Sequence, residues 1–293
     1  MADPNLLREP ILDWYADNAR DLPWRRPDAT PWGILVSEIM LQQTPVVRVL
    51  PVWQQWMERW PTPAHLAAEP PGEAVRHWGR LGYPRRALRL HACARAITAE
   101  HDGEVPADHA TLLALPGIGE YTAAAVASFA FGGTHPVLDT NVRRVLGRAV
   151  RGEEHPPNAT TAAERRLAQE LLPAVGAPVW GVAVMELGAL VCTARSPQCG
   201  QCPVQELCAW RLAGKPPGAA RRGQTYDGTD RQCRGRLLAV LRAAHGPVPK
   251  TALDVVWDEP VQRERALDGL VTDGLAEVLD DGTYRLPSDP RSP

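Results

Sequence analysis

The chain has 293 residues, 44% of them apolar, and a formal net charge of −2. That length allows two or three domains and a sizeable core, and a near-neutral balance argues neither for nor against a polyanionic partner. There is no run of eighteen apolar residues, and "MADPNLLREP" has neither a basic start nor an apolar stretch, so no membrane span or secretory signal is expected and the protein reads as cytoplasmic.

Apolar residues at helical spacing predict helices over Leu6–Tyr15, Ile34–Leu41, Val46–Trp60, Ala87–Ala99, Tyr121–Phe131, Ala162–Leu172 and Val179–Val191. Prolines and glycines punctuate the intervals, and no alternating strand pattern precedes residue 230. Residues 1–211 therefore read as a helical body. "LAGKPPGAARRGQTYDGTD" (212–230) reads as a linker. Residues 231–293 form a small module: "GRLLAVLRAA" as a helix, "VPKTAL" opening a second, "VQRERALDGLVTDGL" as a third, and "AEVLDDGTYRL" as a hairpin turning at Asp281-Gly282. That order resembles a winged helix-turn-helix.

Two arginine clusters stand out: Arg76, Arg80, Arg85, Arg86, Arg89 and Arg95, and then Arg143, Arg144, Arg148 and Arg151. Each reads either as a solvated helix face or as a surface for an acidic partner. The chain's only lysines are Lys215 and Lys250.

In "LALPGIGEYTAAAVASFA" a tight turn joins two helices, and Gly117 and Gly119 fit positions needing φ > 0 or close backbone approach. Amide groups opening the second helix favour an anion, for which a DNA phosphate is the natural candidate. "LPGIGEYTA" resembles the helix-hairpin-helix of DNA repair glycosylases, and Asp139 in "HPVLDTNVRRV" stands where that superfamily carries its catalytic aspartate. Gly117, Gly119 and Arg143 are accordingly expected on the DNA backbone.

Cys192, Cys199, Cys202 and Cys208 form C-x6-C-x2-C-x5-C, with Cys93 and Cys233 elsewhere. Four nearby thiolates suit one metal centre, and ligand count alone leaves zinc and iron–sulfur both open. The spacing, directly after "MELGALVC", resembles the 4Fe–4S loop of endonuclease III-like glycosylases. In that loop Arg195 could face phosphate.

"PWGILVSEIMLQQTPV" resembles the matching segment of A/G-mismatch adenine DNA glycosylases, the MutY family, whose glutamate here is Glu38. The resemblance covers residues 6 to about 210 and implies a mainly α, two-lobed helix-hairpin-helix fold: one lobe of 22–134, and a cluster lobe of 1–21 with 135–211, with the catalytic groove between them. It implies an adenine pocket of Arg20, Trp24, Arg25 and Glu186, a wedge at Leu81-Gly82-Tyr83, and further opposing-base contacts from Gln43 and Thr44. The implied partner is double-stranded DNA with adenine opposite 8-oxoguanine or guanine, bound by a monomer. Glu38 would protonate adenine, most plausibly at N7, and Asp139 would stabilise the oxocarbenium-like state at C1′. Superfamily members that also nick the strand resemble one another in carrying a lysine where this chain has Tyr121. That implies a monofunctional enzyme in which Tyr121 packs on the flipped nucleotide. Two features depart from the family. The Phe-Ser-His loop of its usual Nudix-like C-terminal domain is missing, and Pro84 replaces a tyrosine after the wedge. A thymine or oxidised-pyrimidine glycosylase, or an iron–sulfur DNA-binding regulator, remains open at this point.

Overall fold

The computed structural model describes residues 4–219 and 226–288. Residues 220–225 of the expected linker and 289–293 of the expected module lie outside the described residues. The described body is helical, running through α1 Arg8–Asn18, α2 Pro31–Leu41, α3 Val46–Arg59, α4 Pro63–Ala67, α5 Pro71–Trp78 and α6 Arg85–Glu100. It continues with α7 His109–Ala114, α8 Glu120–Phe131, α9 Thr140–Leu146, α10 Ala162–Glu170, α11 Ala177–Leu190 and α12 Ala209–Leu212. The C-terminal segment holds α13 Asp230–Ala243, α14 Lys250–Asp254, α15 Pro260–Thr272, β1 Glu277–Val278 and β2 Tyr284–Arg285. The seven helices expected in the body are present, with ends that differ by a few residues. Periodicity missed α4, α5, α7 and α9 because four to eight residues between prolines give too few turns to display a face.

The chain sorts into two compact units. The first comprises 1–34, 107–113 and 119–221; the second comprises 35–106, 114–118 and 222–293. These boundaries differ from the expected lobes. Residues 119–134 belong to the cluster unit because α8 packs on α11, where Phe129 Cε1 lies 3.6 Å from the Cβ position of Gly181. The C-terminal helices belong to the second unit because α13 packs on α5. The expected linker is also not uniformly loose. Trp210 Nε1 donates to Pro216 O at 2.9 Å and Gly218 N to Glu154 Oε2 at 2.5 Å, which folds 210–218 back on the first unit.

In the first unit, α9 and α11 form the centre. Val142, Val145 and Leu146 meet Ala183, Val184 and Leu187, with Leu7 and Ile11 closing one side and Ala168 and Leu171 another. The approach is close at Gly188, whose Cβ, if added, would sit 2.7 Å from Asn141 Cβ and 2.9 Å from Asn141 O.

In the second unit, α6 runs beside α4 and α5. Tryptophans fill the space between α3 and α5: Trp56 stacks edge-on with Trp60 at 4.8 Å and with Trp78 at 5.6 Å, and its indole N–H donates to His77 O. Such pairs add about 0.5–1.5 kcal/mol each beyond area burial. The C-terminal segment packs α13 against α15, with Cys233, Leu237, Leu241, Leu253, Leu267 and Leu270 buried. β1 and β2 pair antiparallel around a turn at Gly282, φ 77°, and a single antiparallel bridge ties Val248 to Tyr284.

Gly188→Ala tests the α9–α11 approach. The clash is with backbone and cannot be relieved by a rotamer, so a loss of about 1–3 kcal/mol is expected. That corresponds to a fall of several degrees in thermal unfolding midpoint by circular dichroism; an unchanged midpoint would place the helices further apart.

Candidate active site

The residues of the expected adenine pocket come together in the first unit. Arg20 and Trp24 precede α2, and Glu186 sits in the apolar middle of α11 with no exposed side-chain surface. Arg20 grips it bidentately, Nε to Oε1 and Nη2 to Oε2, both at 2.7 Å, and the Arg20 backbone N–H adds 3.1 Å to Oε1. Arg25 Nη1 lies 2.9 Å from Oε2. Burial alone would raise the Glu186 pKa; the Arg20 hydrogen bond and the two guanidinium charges outweigh it and hold the carboxyl below its usual range. Arg25 Nη1 is thus spent on the buried Glu186 carboxylate. Trp24 is buried beside them in a short 3-10 turn.

Asp139 is the N-cap of α9. Its Oδ1 accepts from Val142 N at 2.6 Å and its Oδ2 from Asn141 Nδ2 at 2.7 Å. Burial raises its pKa above 3.8 despite these donors. Tyr121 is the second residue of α8 and is half-buried, whereas Thr122 to Ser128 behind it are fully buried. Gly117 has φ 76°, and its added Cβ would meet Arg89 Cβ at 2.7 Å, so glycine is required there. Gly119 does not take positive φ: it is an extended N-cap at −104° with open space at its Cβ position.

Three arginines of the second cluster, Arg143, Arg144 and Arg148, are buried, while Arg151 is exposed and pairs with Glu153 at 2.8 Å. Arg143, expected on the DNA backbone, is buried. It pairs with Glu164 at 2.8 and 3.0 Å and donates to Pro157 O and Ala159 O. Arg144 satisfies the end of α11, donating to Gly188 O and Cys192 O at 2.6 Å each. Arg148, on the π-helical turn 147–151, donates to Glu154 O, Thr193 O and Ala194 O, reaches Cys192 Sγ at 3.4 Å and stacks on Trp210. A guanidinium offers five donors, which is what an irregular loop full of unpaired carbonyls needs.

That loop brings the four cysteines around one cavity of about 300 Å³, mouth included, with Arg148, Trp210 and Arg211 also on its wall. Among the described residues no three His, Cys, Asp or Glu side chains are gathered tightly enough to chelate a single ion. The cavity is bordered by sulfur alone among metal-ligating groups, which fits a thiolate-held cluster. Cys202 is pushed up to about 11, by burial first and then by the neighbouring Cys192, Cys208 and Cys199. Four thiolates this close require a cationic centre between them.

In the second unit Glu38 is buried on α2 among Leu35, Val36, Ile39 and Met40. One turn beyond it, Arg86 organises everything nearby, a role not legible from the sequence. Its Nη1 donates to Ile39 O, Met40 O and Gln42 O, at 2.9, 3.1 and 2.5 Å. Its Nη2 donates to Thr44 Oγ1 and Gly82 O at 3.0 Å each. Its plane faces Trp78 and Tyr83, at 5.2 and 5.4 Å. Burial pushes its pKa down to about 10, still charged at neutral pH. Two non-glycine residues with positive φ follow the carbonyls it holds: Gln43 at 56° after Gln42, and Tyr83 at 47° after Gly82. Gln43 and Tyr83 are exposed. Thr44 and Leu81 are buried, and Thr44 Oγ1 donates to Leu81 O at 3.2 Å.

Comparison with known proteins matches residues 36–173 to the HhH-GPD superfamily of base excision DNA repair proteins and 192–208 to the iron-sulfur binding domain of endonuclease III. An adenine DNA glycosylase of Mycolicibacterium smegmatis is 56% identical over 281 residues, 95% of each chain. The chain belongs to the adenine DNA glycosylase family. A Mycobacterium tuberculosis adenine DNA glycosylase is 53% identical, over 95% of this chain and 93% of its own. The human one is 42% identical over 72% of this chain and 40% of its own length. A thermostable thymine-DNA glycosylase superposes with TM-score 0.64 at 28% identity, over 71% of this chain and 96% of its own. An endonuclease III–DNA complex shares the fold, with TM-score 0.60 at 24% identity, over 70% and 94%. The protein is thus a DNA-binding glycosylase acting on N-glycosyl bonds of adenine, with a 4Fe–4S loop. No helix among the described residues is long and apolar enough to cross a membrane.

Asp139→Asn separates stability from catalysis. Asparagine retains the cap and removes the buried charge. The folded carboxyl has the higher pKa, so its ionisation is a cost that is present above the folded pKa and vanishes below the unfolded one. The variant is expected to melt a few degrees higher near neutral pH, and the gain should shrink as pH falls toward 3.8. Calorimetry across pH checks this; a variant that melts lower near neutral pH would contradict it.

Proposed function

We propose that the enzyme hydrolyses adenine from positions opposite 8-oxoguanine or guanine in double-stranded DNA, acting as a monomer, and leaves an intact abasic site. The observation that carries the mispair reading is the exposed Tyr83, held in left-handed backbone by Arg86, beside the equally exposed Gln43. An aromatic fixed at a strained loop tip is suited to enter a base stack, because its strain is met by the support and not by the DNA.

The flipped adenine would lie on Trp24, with Arg20, Arg25 and Glu186 on its edge. Arg25 is held at that edge by its ion pair with Glu186, Nη1 to Oε2 at 2.9 Å. Glu38 is the residue to which the family motif assigns the protonation of N7. The glycosidic bond then breaks, and its electron pair leaves with the base. Asp139 stabilises the cation at C1′ until water adds and loses its proton. The developing positive charge lowers the raised Asp139 pKa, which favours the anion at the step that uses it.

Hydrolysis without strand cleavage rests on Tyr121. It opens α8, where it offers no amine, and no lysine precedes Lys215. A Schiff base needs one.

Glu38→Gln is expected to slow single-turnover excision from A opposite 8-oxoguanine about 100-fold or more, with duplex affinity nearly unchanged. Product from the unaltered enzyme should migrate as intact strand on a denaturing gel until heated in alkali. Strand scission coupled to adenine release, or a borohydride-trapped adduct in good yield, would sink the hydrolytic reading. Excision within tenfold of normal in Glu38→Gln would remove Glu38 from its role.

A further inference from the structure

The C-terminal segment occupies the place where the family's resemblance implies a lesion-reading domain, and its fold order resembles a DNA reader. Its chemistry points elsewhere. Over 226–288 acidic residues outnumber basic ones by eleven to eight. Five of the eight bases are spent internally: Arg265 on Asp230, Arg263 and Lys250 on Asp254, Lys250 also on Glu264, Arg285 on Glu277, and Arg234 on Asp273. The helix that would enter a groove, α15, is preceded by Asp258 and Glu259 and carries Glu264 and Asp268. Phosphate binding needs the opposite balance.

What the segment does contact is the chain on both sides of the wedge. On the α5 side two arginines exchange carbonyls. Arg76 Nη1 donates to Ala244 O at 2.8 Å and also to Arg242 O, and Arg242 Nε donates to Val75 O at 2.9 Å. Gly72 N donates to Pro287 O at 2.7 Å, so close that an added Cβ would fall 2.5 Å from that oxygen. On the α6 side Asp273, at the end of α15, sits between Arg85 and Arg234: Oδ1 is 3.2 Å from Arg85 Nη1, and Oδ2 accepts from Arg234 Nη2. Arg85 opens α6, two residues after Tyr83 and next to Arg86. The six residues between the two helices, Gly79 to Pro84, include three with positive φ.

We propose that the C-terminal segment is a brace for the wedge and not a reader of DNA, and that Asp273 is the positioning residue through which it sets the placement of Tyr83. The inference rests on the reading of Tyr83 as a wedge. By clamping α5 and α6 the segment fixes the spacing of the loop's two ends. A loop of six residues with both ends fixed has little freedom left at its tip.

The test uses full-length protein and a duplex with adenine opposite guanine and 2-aminopurine beside that guanine, whose fluorescence rises when the stack opens. Asp273→Lys repels Arg85 and Arg234. It should slow single-turnover excision and reduce the fluorescence rise about five- to tenfold, while the dependence of binding on salt keeps its slope. Asp273→Glu restores the pair and should behave as the unaltered enzyme. Should Asp273→Lys fold poorly, Asp273→Asn should move both readouts in the same direction by about two- to threefold. Tyr83→Ala separates the two ideas. If it loses the fluorescence rise while Asp273→Lys and Asp273→Asn keep it, the brace is wrong and the wedge stands. If Tyr83→Ala itself keeps the rise and the rate, the wedge reading fails and takes the brace with it. A steeper salt slope and tighter binding in Asp273→Lys would put the segment on the phosphates and overturn the proposal.

Discussion

A buried guanidinium bonded to main-chain carbonyls holds the exposed tips of two loops of the second unit in place. Arg86 spends its two terminal nitrogens on four main-chain carbonyls and one hydroxyl, and lays its plane against Trp78 and Tyr83. Two of those carbonyls, Ile39 O and Met40 O, belong to the last turn of the helix carrying Glu38, which has no intrahelical donors for them. Gln42 O and Gly82 O precede the left-handed residues Gln43 and Tyr83, each of which costs about 1–2 kcal/mol in backbone strain. Desolvating the charge is also costly. The two costs are met by one set of charge-assisted hydrogen bonds, which exists only in this arrangement. The network therefore fixes the loops' shape more than it adds to overall stability.

The same device recurs. Arg144 and Arg148 close the end of α11 and the first stretch of the cysteine loop by donating to carbonyls that no strand or helix would satisfy. Arg76 and Arg242 do so between α5 and the C-terminal segment. Arg143 with Glu164 and the Arg20–Glu186–Arg25 triad follow the more familiar pattern of a buried pair of opposite charges. A lysine-poor chain suits this: an ammonium group cannot reach acceptors spread over a plane.

Much of the chemistry was legible in the sequence because it depends on residue type at fixed spacing. The four cysteines, the glycine hairpin, Asp139 at a helix start and Glu38 within an apolar helix are all of that kind. Gly117 behaved as a turn glycine must, while Gly119 owes its place to open space and not to φ. The arginines were not legible. A buried arginine on carbonyls and an exposed one on water look identical in one sequence, since the acceptors are main chain and carry no residue signature. For that reason the second cluster read as surface, and Arg86 went unnoticed among six neighbours. The C-terminal docking was hidden likewise, and a fold order resembling a DNA reader suggested a role that its charge balance opposes. That Leu81 and Thr44 are buried while Tyr83 and Gln43 are exposed was not legible either, because neither loop has a period from which a face could be read.

The central claim, that Arg86 sets the tips on which mispair recognition depends, is tested most directly by Arg86→Lys. Lysine keeps the charge and the stem but can satisfy only part of the acceptor set. Single-turnover excision of adenine opposite guanine should be followed at saturating enzyme, well below the variant's melting temperature, with iron content and helicity confirmed unchanged. The account expects the rate to fall about 30-fold or more, the scale of losing two or so kcal/mol of positioning. A rate within twofold of the unaltered enzyme, with the protein otherwise intact, would contradict it.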